Sequence, residues 1–169
     1  MRNQLKFFAG LAVLAFLSGC APAVLIVPSY IKSVGVNLVD NKTSYYGLET
    51  LFTQQLIQDF QIDGRLPVEN PGDADLVVSI TLKKYEEVPV LVDPKTNLVD
   101  QFRISVTYDL SAIDKRENRT LVEDKDKIHS YFYYTPQYVG AVSQTDQQAQ
   151  AQMADDLGRS IVRRVLEGD

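Results

Sequence analysis

Two hydrophobic rhythms divide this chain after its first thirty residues: a repeat of two, which marks half-buried strands, and a repeat near four, which marks helices with one buried stripe. Ile31 to Val39 alternates, with Val34, Val36 and Leu38 on one face. It breaks at Asp40-Asn41-Lys42-Thr43-Ser44, a turn cluster containing good helix N-cap residues, so the pattern predicts a strand running into a helix. From Tyr45 to Phe60 the apolar positions Leu48, Phe52, Leu56 and Phe60, joined by Leu51, form a single stripe, and Asp63-Gly64 stops it. Arg65 to Glu69 reads as a short strand around Leu66 and Val68, followed by a turn at Asn70-Pro71-Gly72-Asp73. Ala74 to Tyr85 alternates cleanly, with Leu76, Val78, Ile80 and Leu82 inward and Ser79, Thr81 and Lys83 outward. After a loop holding Pro89, Asp93-Pro94 and Asn97, the alternation returns. Phe102, Ile104, Val106, Tyr108, Leu110 and Ala112 oppose Arg103, Ser105, Thr107, Asp109 and Ser111. A charged turn from Asp114 to Asn118 joins this strand to Arg119 to Tyr134 as a hairpin. Ser143-Gln144-Thr145-Asp146 has the spacing of a capping box and opens a last helix, buried along Ala154, Leu157, Ile161 and Val165 and ended by Gly168.

The elements run strand, helix, four strands, helix. Each helix has one apolar stripe and the sheet one apolar face. The economical packing is an α+β two-layer sandwich, a mostly antiparallel sheet of four to five strands with both helices packed on one face. Strict alternation leaves the other sheet face wet, or against something polar.

The first residues follow a different logic. Arg2 and Lys6 precede an apolar run from Phe7 to Leu17, of signal-peptide rather than membrane-spanning length, and Leu17-Ser18-Gly19-Cys20 then has the form of a bacterial lipobox. Cleavage before Cys20 removes residues 1–19 and leaves a cysteine whose thiol carries a diacylglyceryl group and whose new amino terminus is acylated too. Several acyl chains, at about 0.8 kcal/mol per buried methylene, make a durable anchor. Ala21 follows the cysteine where an aspartate would favour inner-membrane retention, so the expected place is the periplasmic side of the outer membrane. Residues 20–30 form the lipidated anchor and tether. Within them, Val24 to Val27 either serves as tether or packs on the domain or a partner, and residues 31–168 make one domain.

Charge and residue usage narrow the function. The 169 residues carry a formal charge of −5, more acidic once Arg2 and Lys6 leave with the signal. That sign argues against nucleic acid, whose affinity rests on phosphate neutralisation. Cys20 is the only cysteine and His129 the only histidine, and there is no tryptophan. With Cys20 acylated, no thiol remains for a disulfide, a zinc site or a nucleophile, and most histidine-dependent constellations are excluded. His129 beside Ser130 lacks an orienting acid and an oxyanion hole. The expectation is a protein that is not an enzyme and uses no cofactor.

Further marks run along the domain: Val34-Gly35-Val36 before Asp40-Asn41-Lys42-Thr43, Gly47-Leu48-Glu49, Asp63-Gly64-Arg65, Ala74-Asp75-Leu76-Val77-Val78, Tyr85 followed by Pro89, and the closing Ile161 to Gly168. In that order and spacing, behind a lipobox, the chain resembles the lipopolysaccharide-assembly lipoprotein (LptE-like) family from about Ile31 to Gly168. The resemblance implies an outer-membrane lipoprotein that sits in the β-barrel of the lipopolysaccharide translocon (LptD-like) as plug and assembly partner, with lipopolysaccharide as a possible ligand. The opening from Val36 to Thr43 is also similar to other periplasmic lipoproteins, the activators of peptidoglycan synthases and the curli-secretion pore subunits. That makes a regulatory or secretion-associated lipoprotein the alternative.

Two regions are candidate contact surfaces. Lys83, Lys84 and Arg103 lie on or beside the polar sheet face, where cations would meet phosphate through charge-assisted hydrogen bonds. Tyr131, Tyr133, Tyr134 and Tyr138 form an aromatic cluster that offers large rigid area with polar tips. Each has a plainer role open to it: solvated face for the cations, and core filling for Tyr131 and Tyr133.

Overall fold

In the computed structural model, which describes residues 26–168, the third strand in chain order organises the sheet. Strand β3 (Leu76–Val92) pairs antiparallel with β4 (Val99–Asp114), which pairs antiparallel with β5 (Arg119–Tyr134). On the other side of β3 two short strands run parallel to it, β1 (Val34–Val36) with Val34 opposite Leu76, and β2 (Asp40–Asn41) with Asp40 opposite Thr81. The sheet is thus five-stranded and mostly antiparallel. Helices α1 (Leu48–Asp63) and α2 (Asp146–Glu167) pack on each other and on the same sheet face, α1 toward β1 and β2, α2 toward β4 and β5. This is the α+β sandwich expected from the sequence.

The core follows the hydrophobic rhythms. Leu48, Phe52, Leu56 and Phe60 of α1 and Met153, Leu157, Ile161 and Val165 of α2 close over Leu76, Val78, Ile80 and Leu82 of β3 and Val106, Leu110 and Ala112 of β4. Fully burying one such side chain stabilises the fold by about 1.5–3 kcal/mol, so the stripe positions hold the two layers together. Gly35 lets the turn at Pro71 approach β1, because a Cβ there would lie 2.6 Å from the Pro71 Cα.

Five local expectations are corrected. The first alternating stretch is not one strand: the chain leaves the β3 register after Val36, so Leu38 is 70% exposed and Val39 takes the core position. Its polar cluster does not cap α1. Asn41 Oδ1 instead accepts from the backbone N–H of Thr43, an Asx turn, while the N-cap is Gly47 in a left-handed conformation with no side-chain cap. Arg65 to Glu69 makes a single bridge, Val68 to Val34, and so is not a strand. Pro89 sits within β3 rather than in the loop, which shrinks to the turn between Val92 and Val99. Among the described residues no strand pairs with the outer side of β3 beyond Leu82, and the register slips beside Pro89, which is where a strand tolerates a residue without an N–H. The final capping box is also shifted, to Thr145 and Gln148.

The two ends of the sandwich differ. At one end the incoming chain is stitched down: Ile26 N–H donates to the Leu166 carbonyl at 3.0 Å, and the Tyr30 hydroxyl donates to Asp114 Oδ2 at 2.5 Å. That bond holds the fully buried Asp114 carboxyl below the usual range and pushes the Tyr30 phenol up to about 12. At the other end lie the β3–β4 turn and the loop from Thr135 to Gln144. Val90, Leu91, Val92, Leu98, Val139 and Val142 are all exposed there.

Candidate partner-binding surface

Strand register decides what the open sheet face presents. Rows crossing β3, β4 and β5 read Ser79–Ser111–Glu123, Lys84–Thr107–Ile128, Glu86–Ser105–Ser130 and Val88–Arg103–Phe132. The centre is polar, and the character turns apolar toward the β3–β4 turn. Among the described residues no helix covers this face, since the two helices pack on the opposite one.

Among the candidate cations, Lys83 is already engaged. It is the extra residue of a bulge between Leu82 and Lys84, and its ammonium meets Asp109 Oδ1 at 2.8 Å and Asp126 Oδ1 at 2.7 Å. Those carboxylates raise its pKa and hold Asp109 below the usual range. Lys84 contacts Glu86 at 2.8 Å, both well exposed, an arrangement of the kind worth under about 1 kcal/mol. Arg103 is exposed and makes no ion pair among the described residues. Of the three, Arg103 is the guanidinium most open to an incoming anion.

The aromatic cluster splits. Tyr133 faces the helices at 2% exposure, stacked on Phe102 with centroids 5.6 Å apart. Its hydroxyl lies within hydrogen-bond reach of Glu87 Oε1 and of Asp146 Oδ1, joining β3, β5 and the start of α2. Burial first, and then these two carboxyls, push its phenol far up. Tyr131 is half-buried on the same side, its hydroxyl donating to Gln144 Oε1 at 3.1 Å. Tyr134 belongs to the open-face row of Gln101 and stacks on Tyr138 at 4.8 Å, so this pair supplies the cluster's accessible area. Phe132, 51% exposed, and Ile128, 70% exposed, flank Ser130 on the open face. Sequence reasoning passed over both as contact residues, although the alternation that turned Tyr131 and Tyr133 inward also turned them outward. Leu17, Ser18, Gly19 and Cys20 lie outside the described residues.

Among the described residues there is no cluster of His, Cys, Asp and Glu suited to a metal, and no helix is long and apolar enough to cross a membrane. A family model described as LptE, lipopolysaccharide-assembly, matches residues 31–165. The chain belongs to the LptE family. Among the described residues the match covers every strand, the first helix and all but the last two residues of the second, and it associates the chain with lipopolysaccharide assembly.

Solved structures share this fold at low identity. The hypothetical protein CT253 from Chlamydia trachomatis is 16% identical, over 80% of this chain and 95% of its own, with a TM-score of 0.53. XCC0632 from Xanthomonas campestris is 8% identical, over 80% and 86%, with a TM-score of 0.52. No curated protein matches the sequence.

Proposed function

We propose that this LptE-family chain is an outer-membrane lipoprotein, acylated at Cys20 and held on the periplasmic side, that plugs and helps assemble the β-barrel through which lipopolysaccharide reaches the cell surface. The family match across residues 31–165 carries this reading. The anchor sets the geometry. Cys20 is six residues from Ile26, where the chain joins the domain, so the tether reaches about 20 Å at full extension. The end of the sandwich formed by the α2 C-terminus is therefore kept near the leaflet. The opposite end, beyond a helix of 22 residues and about 33 Å, points away from it.

The open face suits a polar lumen. Ser79, Ser105, Thr107 and Ser111 offer hydroxyls in cross-strand rows. In a contact of this kind, satisfied hydrogen bonds count for more than apolar area. Arg103 supplies a cation for a phosphorylated sugar headgroup, through charge-assisted hydrogen bonds. Depleting the protein tests the reading. Loss of lipopolysaccharide from the cell surface with an intact cell wall is expected, whereas normal surface lipopolysaccharide with defective peptidoglycan would overturn it in favour of a cell-wall regulator.

A further inference from the structure

Strand β5 is an edge of the sheet: among the described residues its only ladder is with β4. Edge strands present unpaired N–H and C=O groups, and stable proteins guard them with charges and bulges. The half of β5 nearer Arg119 is guarded in this way. Glu123, Lys125 and Lys127 are exposed there, and Asp126 sits in a left-handed conformation at φ 53°, at a register shift. From Ile128 to Tyr134 there is neither a carboxylate nor a lysine or arginine, and the register with β4 is continuous.

Hydrogen bonds fix which of these residues face outward. Thr135 N–H donates inward, to the Asp100 carbonyl of β4, while the Tyr134 carbonyl turns away and accepts from Gln144 N–H at 2.9 Å. In an antiparallel strand both backbone groups of a residue point to the same side and alternate along the chain. Phe132, Ser130 and Ile128 therefore share the outward parity of Tyr134, and His129, Tyr131 and Tyr133 bond to β4. The chain already uses this edge once: Ser143 bridges Tyr134 in the parallel sense. The open stretch is bounded by that segment at one end and by the Asp126 bulge at the other.

We infer that the β5 edge from Ile128 to Phe132 is a strand-addition site that takes a short extended segment, about five residues long, from the barrel partner. This rests on the functional reading above for the identity of the partner. The added segment continues the ladder that Ser143 begins, bonds to the backbone of Ile128, Ser130 and Phe132, and places apolar side chains beside Ile128 and Phe132 on the open face. A second copy of this chain is a poorer occupant. Its own β5 edge, extended past five residues in either direction, runs into the Ser143–Gln144 segment or the bulge.

Amide hydrogen exchange, read at single residues on the full-length chain, tests the assignment by comparing chain purified alone with chain purified together with the barrel. The N–H groups of Ile128, Ser130 and Phe132 are expected to slow at least tenfold in the complex, while those of His129 and Tyr131 are protected in both samples. Ser130→Pro removes an outward N–H and leaves the bonds to β4, so it is expected to recover at least tenfold less barrel without changing the fold of the chain. If Ser130→Pro fails to fold, exchange on the wild-type chain decides alone. Unchanged exchange in a barrel-containing complex would overturn the inference and leave the functional reading standing. Protection of the same three amides in a barrel-free dimer would overturn it in favour of a second copy. Failure to recover any barrel with the wild-type chain is a different result, which overturns the functional reading itself.

Discussion

Asp59 joins the packing of the two helices to the ionisation of one side chain. It is 5% exposed, its Oδ1 accepts from Gln55 Nε2 at 3.0 Å, and its Oδ2, with no hydrogen-bond partner among the described residues, lies against Gly158 of α2. A Cβ at 158 would collide with that oxygen, so Gly158→Ala is expected to destabilise the protein by about 1–3 kcal/mol, and by less in an Asp59→Ala background. Burial raises the Asp59 pKa above its ordinary 3.8. The folded state therefore binds this proton more tightly than the unfolded chain does. Its contribution to stability improves as pH falls through the raised value and is least favourable at neutral pH. In urea unfolding, Asp59→Asn should gain most over wild type at pH 7 and lose that advantage toward pH 4. His129 has the opposite sign. Its Nε2 is buried without a partner among the described residues and desolvation lowers its pKa from 6.5, so its contribution is intact above pH 6.5 and is lost as pH falls below that value. His129→Gln should flatten the loss of stability between pH 7 and pH 5.

At the scale of elements, α2 owes its defined start to the capping box, in which Gln148 N–H donates to Thr145 Oγ1 and Gln148 Oε1 accepts from Thr145 N–H. Thr145→Ala is expected to cost about 1 kcal/mol by the same unfolding measurement, whereas Ser143→Ala should cost little, since the box lies at Thr145. Long elements were legible in the sequence because many positions repeat one signal: Leu76 to Leu82, Phe102 to Ala112 and the α1 stripe each place alternate or fourth residues in the core. Short ones were not. A three-residue β1 carries too little pattern to mark where the chain leaves the register, so Leu38 continued the alternation in sequence while Val39 took the buried position. Val68 forms one bridge, which no periodicity can distinguish from a strand. The site was legible in composition but not in detail. Lys83 and Arg103 read alike as outward cations, and only the bulge that gives Lys83 two carboxylates separates them.

Across the whole molecule, the end where the chain enters the domain and the far end are built differently. Arg65 links the end of α1 to the end of α2 through Asp63 and Glu167, its Nη1 lying 2.6 Å from Glu167 Oε1, and Arg164 links α2 to Asp124 of β5. With Tyr30 on Asp114, these contacts make the end where the chain enters rigid. The far end carries exposed apolar side chains and the unguarded half of β5. A body stiff where the chain enters, with an unpaired strand edge and apolar area at the other end, suits the proposed seat in a larger assembly. The native mass of the full-length protein, purified from membranes in mild detergent, tests that account most directly. The account predicts one acylated chain with one large β-barrel protein; a stable monomer without a barrel would contradict it.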